Sequence, residues 1–305
     1  MTTEKPKSPV AFSLMVGLWL VTFVPLVLFG RGWFVWGTLH FTLLFLLLYP
    51  VLCANCDWIG PVINAFRTER KEVWLTIDDG PHPVQTKQIL SLLSRFNAKA
   101  TFFLIGRRAL KYPELVRAIL QEGHTIGNHS ANHLAPIFWA ISKKAAIAEI
   151  EGGARAIQEV SGYLPPLFRA PVGMANVFVR NTLYERQMGL IGWSVRGGDG
   201  VCRNVSKIVN KVLKAIRPGA IVLLHDGHGN NANPAHSVLA LESILTHLKK
   251  SGYACVIPTI DQLAKNAGSS SRAITDAESF IIPSTVGLAQ DTSAQALHSR
   301  IKLKC

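Results

Sequence analysis

Charge is scarce in this chain. Of its 305 residues only 17% are Asp, Glu, Lys or Arg, and the acids number 19, whereas soluble domains carry about a quarter charged residues. With 49% hydrophobic residues and a mean hydropathy of +0.24, the chain is not disordered throughout, and part of it prefers lipid to water. Cysteine is sparse as well. Five residues, Cys53, Cys56, Cys202, Cys255 and Cys305, form no paired framework, which excludes a small disulfide scaffold and leans toward a reducing compartment. No internal repeat or collagen-like period is present. Aromatic stacking platforms and a basic stripe on one element are also missing, so nucleic acid is not the expected partner. The excess of 32 Lys and Arg over 19 acids, a net charge of +13, suits an anionic membrane surface or a phosphate-bearing ligand instead.

Two uncharged runs are present near the start. Val10 to Phe29 and Phe34 to Cys53 each approach the ~20 apolar residues that a helix needs to cross ~30 Å of hydrocarbon. Only Gly30, Arg31, Gly32 and Trp33 separate them. That spacing predicts an antiparallel transmembrane hairpin, with Trp33 and Trp36 at an interface and Pro25 kinking the first span. A cleaved signal peptide is the alternative for the first run, with Lys5 and Lys7 as its basic start. The second run and the lack of a small-residue cleavage site favour retention. Two crossings put both ends of the chain on one side. Lys5, Lys7, Arg67, Arg70 and Lys71 outnumber Arg31 at the tip, and the positive-inside rule makes that side cytoplasmic. Cys53-Ala-Asn-Cys56 has the spacing of a redox or metal pair but lacks a second ligand cluster, and reads as ordinary interface residues.

From Val73 onward short apolar runs alternate with amphipathic stretches. The predicted strands are Val73–Ile77, Ala100–Ile105, Thr125–Gly127, Leu167–Arg169, Leu190–Val195, Ala220–Leu224 and Ala254–Ile257. The predicted helices are Thr86–Arg95, Pro113–Glu122, Lys143–Ser161, Val205–Ile216 and Ala235–Lys250, punctuated by Pro113, Gly123 and Gly252. Such alternation means parallel strands with crossover helices. Asp78 and Asp79, His129, Arg169, Asp199 and His225 all fall at or just past predicted strand ends. Side chains on the C-terminal ends of successive parallel strands converge on one face of a barrel, so a barrel-like closure fits better than an open sheet.

Two clusters carry chemistry. Adjacent carboxylates at Asp78 and Asp79 oppose joint ionisation unless a cation lies beside them; the bland reading is a solvated turn. His129 and His133, at i and i+4, share one face if the segment is a helical turn, ~6 Å apart, and with one carboxylate suit a divalent metal for hydrolysis. His82, His124, His228 and His236 have no such partner set.

The segments Thr76-Ile-Asp-Asp-Gly-Pro81, His129-Ser-Ala-Asn-His133, Arg169-Ala-Pro-Val-Gly173 and Leu223-Leu-His225 resemble, in order, four of the five motifs of the NodB-homology polysaccharide deacetylases, carbohydrate esterase family four. The resemblance spans about Val73 to Lys265 and includes Ala100-Thr-Phe-Phe103 and Arg217-Pro-Gly219. It implies an α/β fold, a distorted (β/α) barrel, and one divalent metal, zinc first with cobalt or nickel as alternatives. It further implies that Asp79, His129 and His133 are the metal ligands and Asp78 the general base. Arg169 would then be that base's ion-pair partner, His225 the acid for the leaving amine and Asp199 the carboxylate that tunes His225. Pro171, Gly173 and Leu223 would line the substrate site. The fourth motif departs from the family: Arg196 stands where an Asp is usual and Gly200 where a Trp is usual, so the sugar-binding wall differs. Arg196 either reads a phosphate or carboxylate of the substrate or forms a salt bridge.

The expected protein is therefore a membrane-anchored, metal-dependent hydrolase that removes an N-acetyl or other N-acyl group from an amino sugar. Its expected substrate is an envelope glycan or a lipid-linked sugar. An O-acetyl esterase and an inactive sugar-binding or scaffolding homologue are the alternatives. Its location is a bacterial inner membrane, with the catalytic domain cytoplasmic and the periplasmic face as the alternative. The expected organisation is an anchor over 1–58, a linker over 59–72, a catalytic domain over 73–266 and a flexible, Ser/Ala/Thr-rich tail over 267–305.

Overall fold

In the computed structural model, residues 13, 16–22, 33–227 and 236–263 are described. The folded portion that follows is built on parallel strands. β1 (Glu72–Asp78) is buried from Val73 onward and β2 (Ala100–Leu104) along its whole length. Near-continuous burial is what parallel strands covered on both faces require. β3 (Thr125–Asn128), β4 (Leu167–Phe168), β5 (Gly189–Leu190), β6 (Val195–Arg196), β7 (Ala220–His225) and β8 (Ala254–Cys255) complete the sheet. The strand order is β5-β4-β3-β2-β1-β7-β6, and β8 pairs with the start of β1 through Glu72↔Ala254. In the central pair Asp78 lies opposite His225. Register alone thus sets two of the expected site residues side by side.

The helices are α1 (Trp33–Leu52), α2 (Gln85–Arg95), α3 (Gly106–Lys111), α4 (Pro113–Gln121), α5 (Lys143–Ser161), α6 (Val177–Glu185), α7 (Val205–Ala215), α8 (His236–Lys250) and α9 (Ile260–Leu263). Local chemistry explains their limits. Ser142 accepts from the Ala145 N–H at 3.3 Å to open α5, and Gly162, at φ 69°, closes it in the left-handed region. Asn176 and Asn204 cap α6 and α7 in the same way. The main core joins Leu75, Ile77, Phe102, Leu104, Ile126, Val222 and Leu224 of the sheet to the apolar faces of α2, α4, α7 and α8. α3 and α6 were not anticipated from periodicity. The predicted strand Leu190–Val195 is a second departure: it divides into β5 and β6 around Gly192, Trp193 and Ser194.

The sheet does not close strand to strand. Residues 63–66 bridge β5 and β7 instead, within the stretch expected to be a linker. Ile63 pairs with Ile191 and Ala65 with Ala220. The Ile63 N–H donates to Leu190 O at 2.9 Å and the Phe66 N–H to Gly219 O at 2.9 Å. The result is a parallel-strand half-barrel whose gap is stitched by the chain entering β1.

α1 is the one described helix long and apolar enough to cross a membrane, over Val35–Leu52, with a mean hydropathy of 1.8. Of the first expected span only residues 13 and 16–22 are described, and they are helical; the rest of that span, and the expected tail, lie outside the described residues. The two helical segments touch. Thr22 Oγ1 is 3.3 Å from His40 Nδ1, and the Trp19 ring stacks on His40 at 4.9 Å.

Candidate active site

At the C-terminal end of β1, Asp78 and Asp79 are both almost fully buried. Asp79 takes φ 72°, so the chain turns sharply and the two carboxylates diverge from a common strand end. Asp78 Oδ1 accepts from Arg169 Nη1 at 2.8 Å. That guanidinium is fully buried and also donates to Thr76 Oγ1 at 2.8 Å, to Gly192 O at 2.7 Å and to Ile191 O at 3.3 Å. It lies over the Phe103 ring at 4.3 Å. Burial works against charge on Arg169 and lowers its pKa, while Asp78 opposes that shift. A bidentate-capable, always-charged side chain is the residue type that tolerates such a place.

His129 leaves β3 and His133 follows, but not on a helical turn as expected. Ser130 and His133 adopt φ 67° and 57°. The Ser130 hydroxyl accepts from the His133 N–H at 3.0 Å, and Asn132 is held by Glu149 through its backbone N–H at 2.9 Å and its side chain at 2.8 Å. This tight loop brings the two rings to 4.9 Å. His133 Nε2 lies 3.1 Å and His129 Nε2 3.3 Å from Asp79 Oδ1, and the three donor atoms fall within 4.8 Å of one another.

The donor set suits one divalent cation. His129 Nδ1 is 2.7 Å from Arg169 O. A carbonyl only accepts, so Nδ1 carries the hydrogen and Nε2 presents its lone pair toward Asp79. Burial disfavours charge on His129, yet Asp78 and Asp79 raise its pKa overall, which marks the cluster as a place that stabilises positive charge. Burial, followed by His129, lowers the pKa of His133 to about 4; a metal ligand must likewise be neutral imidazole.

Across the site, His225 ends β7. Asp199 Oδ1 accepts from its Nδ1 at 2.9 Å, and Asp199 Oδ2 accepts from its backbone N–H at 2.8 Å. Burial opposes protonation, but the hydrogen bond and charge of Asp199, with Asp78 and Asp79 beyond, raise the pKa to about 9. Gly200 lies against this imidazole: a Cβ there would be 3.5 Å from His225 Cε1. Pro171 and Gly173 form the turn after β4, and Gly173 packs against Trp193. Leu223, buried in β7, pairs with Arg196 of β6. Arg196 is exposed, its guanidinium 5.8 Å from the Trp193 ring, and it forms none of the described salt bridges.

Several contributors lay outside the sequence reading. Arg108 donates to Asp79 O, and Thr86 donates to the buried carboxylate of Asp226. Burial raises the pKa of Asp226 to about 7. Asp226 follows His225 directly in a chain with few acids, and that proximity was the available signal. Asn55 gave no signal at all, yet its side-chain amide donates to Trp193 O at 2.7 Å and accepts from the Trp193 N–H at 3.2 Å.

Comparison with known proteins places this geometry in a family. The polysaccharide deacetylase family model matches residues 66–190. A peptidoglycan-N-acetylglucosamine deacetylase of Bacillus cereus is 40% identical over 197 residues, which cover 64% of this chain and 89% of that protein. The peptidoglycan-N-acetylmuramic acid deacetylase PdaC of Bacillus subtilis is 36% identical over 194 residues, 64% of this chain; the matched part spans only 39% of PdaC. The structure of PdaC from Bacillus subtilis superposes with a TM-score of 0.57 at 35% identity, covering 64% of this chain and 90% of that one. With its motifs gathered on one face of a parallel half-barrel, this chain belongs to the polysaccharide deacetylase family.

Proposed function

We propose that the protein is a metal-dependent deacetylase that removes an N-acetyl group from an amino sugar of a membrane-associated or cell-envelope glycan. One arrangement carries this reading. The Asp79, His129 and His133 cluster, the Asp78–Arg169 pair and the His225–Asp199 pair open on the same end of the sheet. Asp79, His129 and His133 would hold one divalent cation, which when bound supplies Lewis acidity toward the acyl carbonyl and toward water. Asp78, paired with Arg169 and oriented by it, accepts the proton of the attacking water. His225, protonated up to about pH 9 by its partnership with Asp199, delivers a proton to the leaving amine. An amine is a poor leaving group without that proton, so an acid with a raised pKa opposite a carboxylate base suits amide cleavage.

The membrane reading rests on α1. A cleaved signal sequence would make no lasting contacts with the domain. Leu47 and Val51 of α1 are buried, and Val51 O accepts from the Ala175 N–H at 3.1 Å. α1 and the helical segment packed on His40 form a retained hairpin in a bacterial inner membrane, with the catalytic domain on the cytoplasmic side. Acetate release by the full chain from N-acetylated chitooligosaccharide and from peptidoglycan fragments, with matching loss of the acetyl mass, tests the activity. No acetate from either after metal loading would refute it.

A further inference from the structure

The end of α1 does not hang free of the catalytic domain. Leu52 is its last residue, and within three residues the chain is clamped at the site. Ala54 packs against Gly173, where a Cβ would come 2.4 Å from Ala54 Cβ. Asn55 takes both backbone hydrogen-bonding groups of Trp193, as a neighbouring strand would. Gly192 makes this approach possible, because a Cβ there would lie 2.3 Å from Asn55 Oδ1. The buried guanidinium of Arg180 then donates to Cys56 O at 2.8 Å and to Gly60 O at 2.6 Å, pinning the rest of the segment.

These anchoring points are the loops that leave β4 and β5, at the same end of the sheet as Asp78, His129 and His225. Three residues of extended chain span on the order of 10 Å, so the end of α1 and the mouth of the site stay within about that distance. One face of α1 points outward, with Val35 at 70% exposure, Phe41 at 67% and Phe45 at 60%. At its C-terminal end Tyr49 and Trp58, both exposed, lie ring to ring at 5.1 Å, the aromatic pair expected at a membrane–water boundary. Exposed apolar side chains continue onto the mouth: Val172 precedes Gly173, and Phe178 stands in the first turn of α6, just after Ala175. Arg196, exposed over the face of Trp193, supplies a cation at that mouth.

We infer that the junction of Asn55 with Trp193 fixes the active site at the bilayer surface, where it takes an N-acylated amino sugar joined through phosphate to a lipid of the same leaflet. The inference rests on the deacetylase reading above and narrows its substrate. A sugar one phosphate link from its lipid stays within reach of a mouth held this close, and a guanidinium at the rim matches the phosphate. A glycan remote from the membrane would favour a loosely tethered domain.

The test uses the full chain reconstituted in phospholipid vesicles with two probes, N-acetylglucosaminyl monophosphate polyprenol in the bilayer and tetra-N-acetylchitotetraose in solution. A flexible Gly/Ser insertion of about twelve residues between Leu52 and Cys53, combined with Leu47→Ser and Val51→Ser to release the buried packing of α1 on the domain, keeps Asn55 in place and frees the domain from the helix. Rigid positioning raises the effective concentration of a lipid-borne acceptor, so the insertion should lower turnover of the polyprenol probe about ten-fold and leave the soluble probe unchanged. Arg196→Ala should lower turnover of the polyprenol probe more than that of the soluble probe. A second arm needs no variant: the unaltered protein should deacetylate the polyprenol probe in its own vesicles and not in separate ones. Equal use of both probes, or an insertion that leaves their ratio unchanged, would overturn the inference while leaving a deacetylase. No acetate from either probe would remove the deacetylase reading, and this inference with it.

Discussion

Arg169 and Asp78 form an ion pair of 2.8 Å in which neither side chain reaches solvent appreciably, at 0% and 4% exposure. The pair survives burial because Arg169 spends its remaining donors on Thr76, Ile191 and Gly192. Removing one partner of a buried pair strands the other, at a cost of about 3–5 kcal/mol. Arg169→Met and Asp78→Asn should therefore each lower the melting temperature sharply, because Asn keeps an acceptor oxygen for Nη1 but not the charge that compensates the guanidinium. A thermal melt in which Asp78→Asn stays near the unaltered protein would show that Arg169 needs only the acceptor oxygen and not the charge of Asp78.

Metal content separates ligand from base. Asp79→Ala, His129→Ala and His133→Ala should each lose the metal and turnover together. Asp78→Asn should keep the metal and lose ~10²–10⁴ in rate, the usual contribution of a positioned general base. Elemental analysis alongside acetate release distinguishes the two patterns. Full occupancy in the three ligand variants would dismantle the proposed cation site.

His225 predicts a pH profile. Its folded-state pKa of about 9 stands above the ordinary 6.5. Its pairing with Asp199 therefore contributes stability that is complete below about 6.5 and lost as pH rises through about 9. Turnover that needs the protonated ring should fall on the same limb. Asp199→Asn should move that limb to lower pH, and an unmoved limb would mean that another group sets it.

His225→Ala should slow cleavage of an N-acetyl amide more than that of an acetyl ester with an aryloxide leaving group, because only the amine requires a proton. Parallel rate measurements on the two substrates decide this. Equal losses would assign His225 a packing role.

The apolar start should hold the protein in membranes through carbonate washing, with its first residues intact. A C-terminal reporter should give cytoplasmic fluorescence, and phosphatase activity in the periplasm would reverse the orientation. That reversal would leave the half-barrel chemistry untouched.

Sequence carried the strands of the central sheet well, because parallel strands buried on both faces are written as unbroken apolar runs such as Val73–Ile77. The four motif segments were legible for the same reason, each being a reactive residue at the end of such a run. Three features were not legible. The i, i+4 spacing of His129 and His133 suggested a helix, but the Ser130 hydroxyl and the Glu149 carboxylate set a left-handed loop that yields the same juxtaposition. The run from Leu190 to Val195 has a strand's composition, yet Gly192 admits Asn55 and the ladder breaks there. Residues 59–72 looked like a linker because the pairing of Ile63 and Ala65 is long-range, with partners that adjacent sequence does not reveal.

That stitch has a practical consequence. The family match begins at Phe66, and a chain trimmed to that boundary would keep every motif yet lose Ile63 and Ala65. The pairing groups of Leu190 and Gly192, and the start of β7, would then be exposed as bare edges, which invite pairing between molecules. Such a fragment should aggregate where one starting before Asn55 stays monodisperse in gel filtration. The catalytic fold thus reaches about a dozen residues ahead of the family match, so the smallest self-sufficient hydrolase begins in the segment that directly follows α1.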